Sequence, residues 1–313
     1  MPAIAVKQPD ATYRIWCKTC SKLLVDSAQS PESYASLLLK HEKKECPATV
    51  TPGLWLFDNP EVRNFTQARM DFITPLLREL RQSVGIESAL DVGCGLGDFS
   101  GYLSEFGIHK VVGIDGREKN VVEARKRHIG PQFQIGDAEE LQVQALGSFD
   151  LVLCFGLLYH LENPMRAVRI LRALTKKVLI VESMCVPGDK PKLELLDEVD
   201  PKLLDGYEHY DQGLNYLGFY PSEPCLIKML TRSGFPFVYE FLTLPPNPLY
   251  SDTSQRRRLR TMMLASHFEI PSTMLRLSCD QKRFAAKLAD PWVRPSRGIR
   301  SRLGRAYRAF FAR

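Results

Sequence analysis

The chain has 313 residues, of which 44% are hydrophobic and 25% charged, with 20 glycines and 21 prolines. This ordinary globular composition excludes collagen-like, low-complexity and wholly disordered chains. Net charge is +6, but residues 291–313 hold seven arginines (Arg294, Arg297, Arg300, Arg302, Arg305, Arg308, Arg313) and no acid, which leaves −1 for the remainder. The basic excess therefore belongs to the tail. No apolar run approaches the ~18–20 residues of a membrane helix, and the opening MPAIAVKQPDATYR lacks the pattern of a secretory signal. The eight cysteines are accordingly expected to be reduced, in a cytoplasmic protein.

Residues 1–50 read as a separate N-terminal unit. Cys17 and Cys20, two residues apart, suit one side of a metal site, and His41 and Cys46, near the end of the helical stretch PESYASLLLKHEKKEC, supply a second pair. Cys₃His is a tetrahedral zinc set. Leu38 precedes His41 by three, so the unit resembles a zinc finger with an overlong middle; a dithiol redox pair or unpaired thiols are the alternatives. No strand–helix–strand pattern surrounds the pair, which disfavours a thioredoxin-like role. Residues 51–85 read as a helical lead-in or lid, with apolar residues at helical spacing over 60–82 and a kink or boundary at Pro75.

From about residue 86 short apolar segments alternate with helical ones. Strands are expected at 88–92, 110–115, 132–135, 149–155, 177–182, 236–243 and around 258–266. Helices are expected at 97–106, 117–128, 138–145, 162–174 and 222–234. Asn163-Pro164 opens one helix; Ser222 caps another, which Gly234 ends. Unalternating apolar strands suit burial on both faces. The expected fold is α/β: a Rossmann-like, seven-stranded, mostly parallel sheet with helices on both faces, over residues 86–270. An acidic, tyrosine-rich insertion at 186–221 interrupts it, and a basic extension with a C-terminal helix follows over 271–313.

The sharpest motif is Asp91-Val92-Gly93-Cys94-Gly95-Leu96-Gly97, where the first strand of this domain meets its first helix. Glycines there remove the Cβ atoms that would block a ligand, and open α/β sheets bind ligands at this edge. A dinucleotide fingerprint needs its third glycine at position 98, which is instead Asp98. The observed G-x-G-x-G, led by Asp91, suits an amino-acid moiety whose ammonium the carboxylate can hold directly or through water.

With these residues the chain resembles the class I S-adenosylmethionine-dependent methyltransferases over about 86–245. The resemblance implies S-adenosylmethionine as cofactor, with Asp91, Gly93, Cys94, Gly95 and Gly97 around its methionyl part. It implies Asp115, followed by Gly116, on the ribose hydroxyls, and Asp137 with Ala138 at the adenine. It also implies that Phe155 and the segment after it pass beneath the sulfonium. His160, just past the fourth strand of the sheet, is the candidate general base or a structural histidine. Tyr159 shapes the methyl pocket or packs. Glu182 closes the fifth strand, facing the acceptor or serving as a solvated or capping residue. Cys94 and Cys154 also read as small core residues.

Phe155-Gly156-Leu157-Leu158-Tyr159-His160 with Asn163-Pro164, and Phe219-Tyr220-Pro221-Ser222 with its helix, resemble more closely the tRNA wobble-uridine carboxymethyltransferase group. That likeness implies an acceptor pocket over Tyr207–Tyr220. The Cys/His unit is foreign to the group, so neither its uridine nor its carboxylated cofactor is carried over. In the tail, Ile299, Leu303, Tyr307 and Phe310 share a helical face. This helix packs on the body, lies on an anionic membrane, or clamps phosphates. Arg256, Arg257, Arg258 and Arg260 read as a solvated turn. Three functions compete: methyl transfer to a small-molecule or biosynthetic acceptor, modification of RNA through the basic tail, and a non-catalytic cofactor-binding adaptor.

Overall fold

The computed structural model describes residues 3–7, 13–17, 23–28, 55–58, 60–197, 214, 217–252, 257–258 and 260–278. Three strands come first, β1 (Ala3–Lys7), β2 (Tyr13–Cys17) and β3 (Leu23–Ala28), in a small antiparallel sheet of order β1-β2-β3. Cys17 closes β2. Cys20, His41, Cys46, Tyr207, Tyr210, Tyr216 and the arginine-rich tail lie outside the described residues. Among those described, no cluster of histidine, cysteine and acidic side chains suits a metal ion, and no helix is long and apolar enough to cross a membrane.

Helix α1 (Pro60–Val84) continues unbroken through Pro75. Its apolar stripe (Phe65, Met70, Ile73, Leu76, Leu77, Leu80) is buried, whereas Pro75 lies on the exposed face, where a carbonyl that loses its amide partner still meets water. The main domain then continues as β4 (Ser88–Val92), α2 (Asp98–Glu105), β5 (Lys110–Asp115), α3 (Glu118–Arg127), β6 (Gln132–Ile135), α4 (Val143–Leu146), β7 (Phe149–Phe155), α5 (Pro164–Leu174) and β8 (Thr175–Met184). The expected helix over 138–145 is a single turn. The Asp137 carboxylate and carbonyl take the N–H groups of Glu139 and Glu140, and Gln142 is extended, so helix begins only at Val143.

The insertion forms an antiparallel pair, β9 (Leu193–Asp197) and β10 (Leu217–Pro221). Helix α6 (Glu223–Arg232) follows, then β11 (Phe237–Phe241), the short pair β12 (Ser251–Asp252) and β13 (Arg257–Arg258), β14 (Arg260–Ser266) and β15 (Leu275–Leu277). Ser222 holds the N-cap position, but its hydroxyl donates to Lys190 O and accepts the Lys192 N–H, pinning the insertion's start to the helix.

The main sheet has the order β15-β11-β14-β8-β7-β4-β5-β6. The run β6-β5-β4-β7-β8 is parallel, and β14 enters antiparallel between β8 and β11. Eight strands stand where seven were expected. Leu275–Leu277 pairs with β11, so a boundary at residue 270 falls inside the sheet. A three-residue strand is too short to show a period, and only the unpaired edge of β11 gives it a place. Along β7 both faces are buried: Leu151, Leu153 and Phe155 join a cluster with α1 and α2, while Phe149, Val152 and Cys154 join one with α5 and α6. The chain reverses its course across the sheet between β4 and β7, and the crevice at the carboxyl ends of those strands is where such sheets hold ligands.

Asp150 anchors the opposite end of these strands. Its carboxylate accepts the Glu87 and Ser88 N–H groups at 3.0 and 3.2 Å, and Lys177 lies 3.0 Å away. Asp150→Ala leaves those donors without their acceptor and is expected to lower stability by about 2–4 kcal/mol, read from the urea midpoint at unchanged m-value.

Candidate active site

The glycine loop leaves β4 through left-handed residues: Gly93, Gly95 and Gly97 have φ of 77°, 54° and 86°. Gly93 N and Cys94 N both donate to Ile114 O, which binds the loop to β5. A Cβ on Gly97 would stand 2.7 Å from the Phe133 ring, so only glycine fits between loop and β6. Beside the loop lies a cavity of about 320 Å³. Of the predicted residues, Gly93, Gly95, Asp115, Gly116, Asp137, Ala138, Phe155, Tyr159 and His160 line it. Asp91, Cys94 and Gly97 stand behind this wall, and Cys94 packs with Val121, Ala124 and Phe133.

Asp115 is the hub. Its Oδ2 accepts the Gly95 N–H at 2.9 Å; its Oδ1 accepts the Arg117 N–H at 2.9 Å and the Asn120 amide at 3.0 Å. A carboxylate offers about four acceptor positions, so these three donors leave one over on a residue that lines the cavity. Burial raises the pKa of Asp115, opposed by these donors. Asp137 Oδ1 accepts the Glu139 N–H at 2.8 Å, which aims the side chain along the cavity wall. Asp91 is 2% exposed and accepts the Ser100 hydroxyl at 2.8 Å. Burial pushes its pKa up to about 6, against the Ser100 bond and with help from Asp115 and Asp98.

At the far side of the cavity the segment after β7 turns through the 3₁₀ helix Leu158–His160. The Tyr159 ring lies 4.1 Å from that of His160 and 5.4 Å edge-on from Tyr220. A group that sequence patterns do not assemble stands here. Glu182, fully buried, accepts Arg260 Nη1 at 2.9 Å and faces Arg69 Nη1 at 3.5 Å. Arg260 Nη2 donates to the Tyr159 hydroxyl at 2.8 Å, and the Arg69 guanidinium lies 4.1 Å above the Phe65 ring. The buried Arg69 Nε and Tyr250 hydroxyl have no hydrogen-bond partner among the described residues. Two guanidiniums facing one carboxylate carry a net positive charge. Burial opposes the charge of Arg260, and Glu182 more than restores it, so its pKa is raised. Burial raises that of Tyr159 as well.

Arg260 thus lies inside the site rather than on a solvated turn, and Glu182 is a buried counter-ion rather than a solvated or capping acid. A signal was available in α1: Arg69 occupies the apolar stripe, four residues from both Phe65 and Ile73, where a solvated arginine has no place.

A family model described as a methyltransferase domain matches residues 90–180. Residues 90–180 carry a methyltransferase domain. The match covers the glycine loop, Asp115, Asp137 and the Tyr159–His160 turn of this domain. Among curated proteins, the tRNA U34 carboxymethyltransferase of Mannheimia succiniciproducens is 30% identical over 179 residues, covering 53% of this chain and 49% of that protein. The ubiquinone biosynthesis O-methyltransferase of Bordetella avium is 34% identical over 104 residues, covering 32% of this chain and 43% of its own. The chain spans about half the length of the curated relatives it matches. Among solved structures, the N-terminal domain of EvdMO1 with SAH bound matches 63% of this chain and 80% of that one, at 20% identity and a TM-score of 0.50, which is a likeness of fold.

Because the folded-state pKa of Asp91 lies above the ordinary carboxylate value, ionising it costs the folded state. The ligand-free protein loses up to ~3 kcal/mol from this group as pH rises from about 4 to above 6. Asp91→Asn is expected to raise the ligand-free Tm by several degrees at about pH 8. The gain shrinks toward pH 5, as thermal melts across pH will read.

Proposed function

We propose that this protein is an S-adenosylmethionine-dependent methyltransferase acting on a small-molecule or biosynthetic acceptor. The reading rests above all on Asp115: a desolvated carboxylate, already bonded to the glycine loop, with one acceptor position to spare, lining a cavity that Asp137 also lines. This donor and acceptor set fits the cofactor. Asp115 would hold the ribose hydroxyls, Asp137 with Ala138 the adenine edge, and Gly93 and Gly95 the methionyl part. Asp91 would act from behind the loop, and Phe155 would lie beneath the sulfur. When bound, S-adenosylmethionine supplies a methyl carbon activated by positive sulfur.

The chain's own residues then align an acceptor and keep water out, and well-oriented approach is worth ~7–11 kcal/mol. Phe65, Phe155, Leu157 and Leu161 give the cavity apolar walls. His160 lines the cavity on the turn after β7, and an imidazole there accepts the proton that an oxygen or nitrogen acceptor must shed. Tyr159 is unsuited to proton abstraction, because burial holds its phenol protonated and its hydroxyl is engaged by Arg260. Its part is to place His160 and bound the acceptor's space.

A second reading is carboxymethyl transfer to RNA. It is favoured by the net positive Arg69–Arg260–Glu182 group on the cavity wall, which suits a carboxylate-bearing donor, and by the activity for which the tRNA-modifying relatives are named.

Calorimetry is expected to register S-adenosylmethionine binding that Asp115→Ala weakens by about 10–100-fold, the worth of hydrogen bonds to a charged group. Absence of S-adenosylmethionine binding by the wild type rules out the first reading, and absence of binding by the carboxylated donor as well rules out the second. Labelled cofactor incubated with cell extract separates them: label in the small-molecule fraction supports methyl transfer as proposed. Label confined to RNA, with a carboxylated donor bound more tightly than S-adenosylmethionine and the preference lost in Arg260→Met, supports the second. His160→Asn should lower transfer by about 10²–10⁴-fold with cofactor affinity unchanged.

A further inference from the structure

The cavity has a roof from outside the sheet. The one-turn helix Leu56–Asp58 precedes α1, and its Phe57 lines the cavity opposite the glycine loop. The ring lies so near that a Cβ on Gly95 would stand 3.2 Å from it. Gly95 is the residue whose N–H binds Asp115, so Phe57 covers the end of the cleft where the ribose is read.

One residue further, Asp58 meets Arg127 in a two-pronged pair: Nη1 to Oδ1 at 2.8 Å and Nη2 to Oδ2 at 2.9 Å. The partners are 69 residues apart in the chain. Arg127 ends α3, the helix that starts just after Asp115-Gly116-Arg117. Its Nε is held by Glu123 at 3.0 Å, which fixes the fork toward Asp58, and Arg63 reaches the same Asp58 carboxylate at 2.5 Å. The Asp58 and Arg127 side chains are 16% and 24% exposed, so the pair stands at the rim of the site, within reach of salt. Bidentate geometry with both partners held by neighbours is the setting in which such a pair is worth something.

We propose that Trp55–Asp58 is a strap across the nucleoside end of the cleft, that the Asp58–Arg127 pair is its latch, and that opening the latch limits release of the spent cofactor. The proposal rests on the cofactor reading above. The apolar ring alone makes a weak, sliding contact with a glycine. The ion pair gives the strap a closed position, and because that position is only partly buried it opens without breaking the core.

The test is release of labelled S-adenosylhomocysteine from the full chain, chased with unlabelled compound. Asp58→Asn and Arg127→Ala are each expected to release it roughly fivefold faster, which is about 1 kcal/mol. The double variant should be no faster than Asp58→Asn alone, since both remove one interaction. Wild-type release should quicken as salt rises to about 0.5 M while Asp58→Asn stays flat, a readout that needs no folding of Arg127→Ala. Equal release by wild type and Asp58→Asn, or a wild-type rate indifferent to salt, overturns the strap and leaves the cofactor reading standing. Failure of the wild type to bind the compound at all overturns both.

Discussion

One carboxylate ties the candidate site together. Asp115 ends β5, and its oxygens hold Gly95 in the loop after β4, Arg117 at the start of α3, and Asn120 one turn on. Without it the glycine loop keeps only backbone ties to β5, from Gly93 and Cys94 to Ile114. Loops that meet at a sheet edge have no ladder to set their spacing, so a buried acceptor shared between them sets it instead. The cost is a desolvated charge, met by three donors, with one acceptor position to spare.

The same logic of charge runs through the cavity. Asp91 and Asp115 stand close enough that the charge of Asp115 adds to the cost of ionising Asp91, and burial raises both. The far side of the cavity is opposite in sign, with Arg69 and Arg260 around Glu182. An ammonium or sulfonium group would relieve the first group, and an anionic group the second. The buried charges thus differ in sign at the two ends, acid behind the glycine loop and net basic beside β14. Its roof is built from α1 and the turn before it, elements outside the sheet, which leaves the parallel strands to hold the loops and the lead-in to set access.

Much of the fold could be read from the chain because it rests on local patterns. Strands β4, β5, β7 and β8 show as short apolar runs since both their faces are covered, and α5 and α6 announce themselves by Asn163-Pro164 and by Ser222 with Gly234. Asp115 and Asp137 were readable because each sits at a strand end that the pattern itself locates. Leu275–Leu277 was not, since a strand of that length exists only by virtue of the edge it joins. The helix expected over 138–145 shrank because Asp137 closes a turn on itself, a competition between side chain and backbone that periodicity does not register.

The residues by themselves thus determined the strand–helix rhythm, the glycine loop, the acid that ends β5 and the acid that follows β6, because each is specified by neighbours within a few positions. The tertiary structure alone decided that Arg69, Glu182 and Arg260 form one buried group, that Asp91 stands behind the loop rather than in the cavity wall, and that Asp58 meets Arg127. Those pairings join residues 69 to 113 positions apart. A charge in an apolar stripe signals that a partner exists, but which residue answers it depends on how α1 and β14 pack against the sheet.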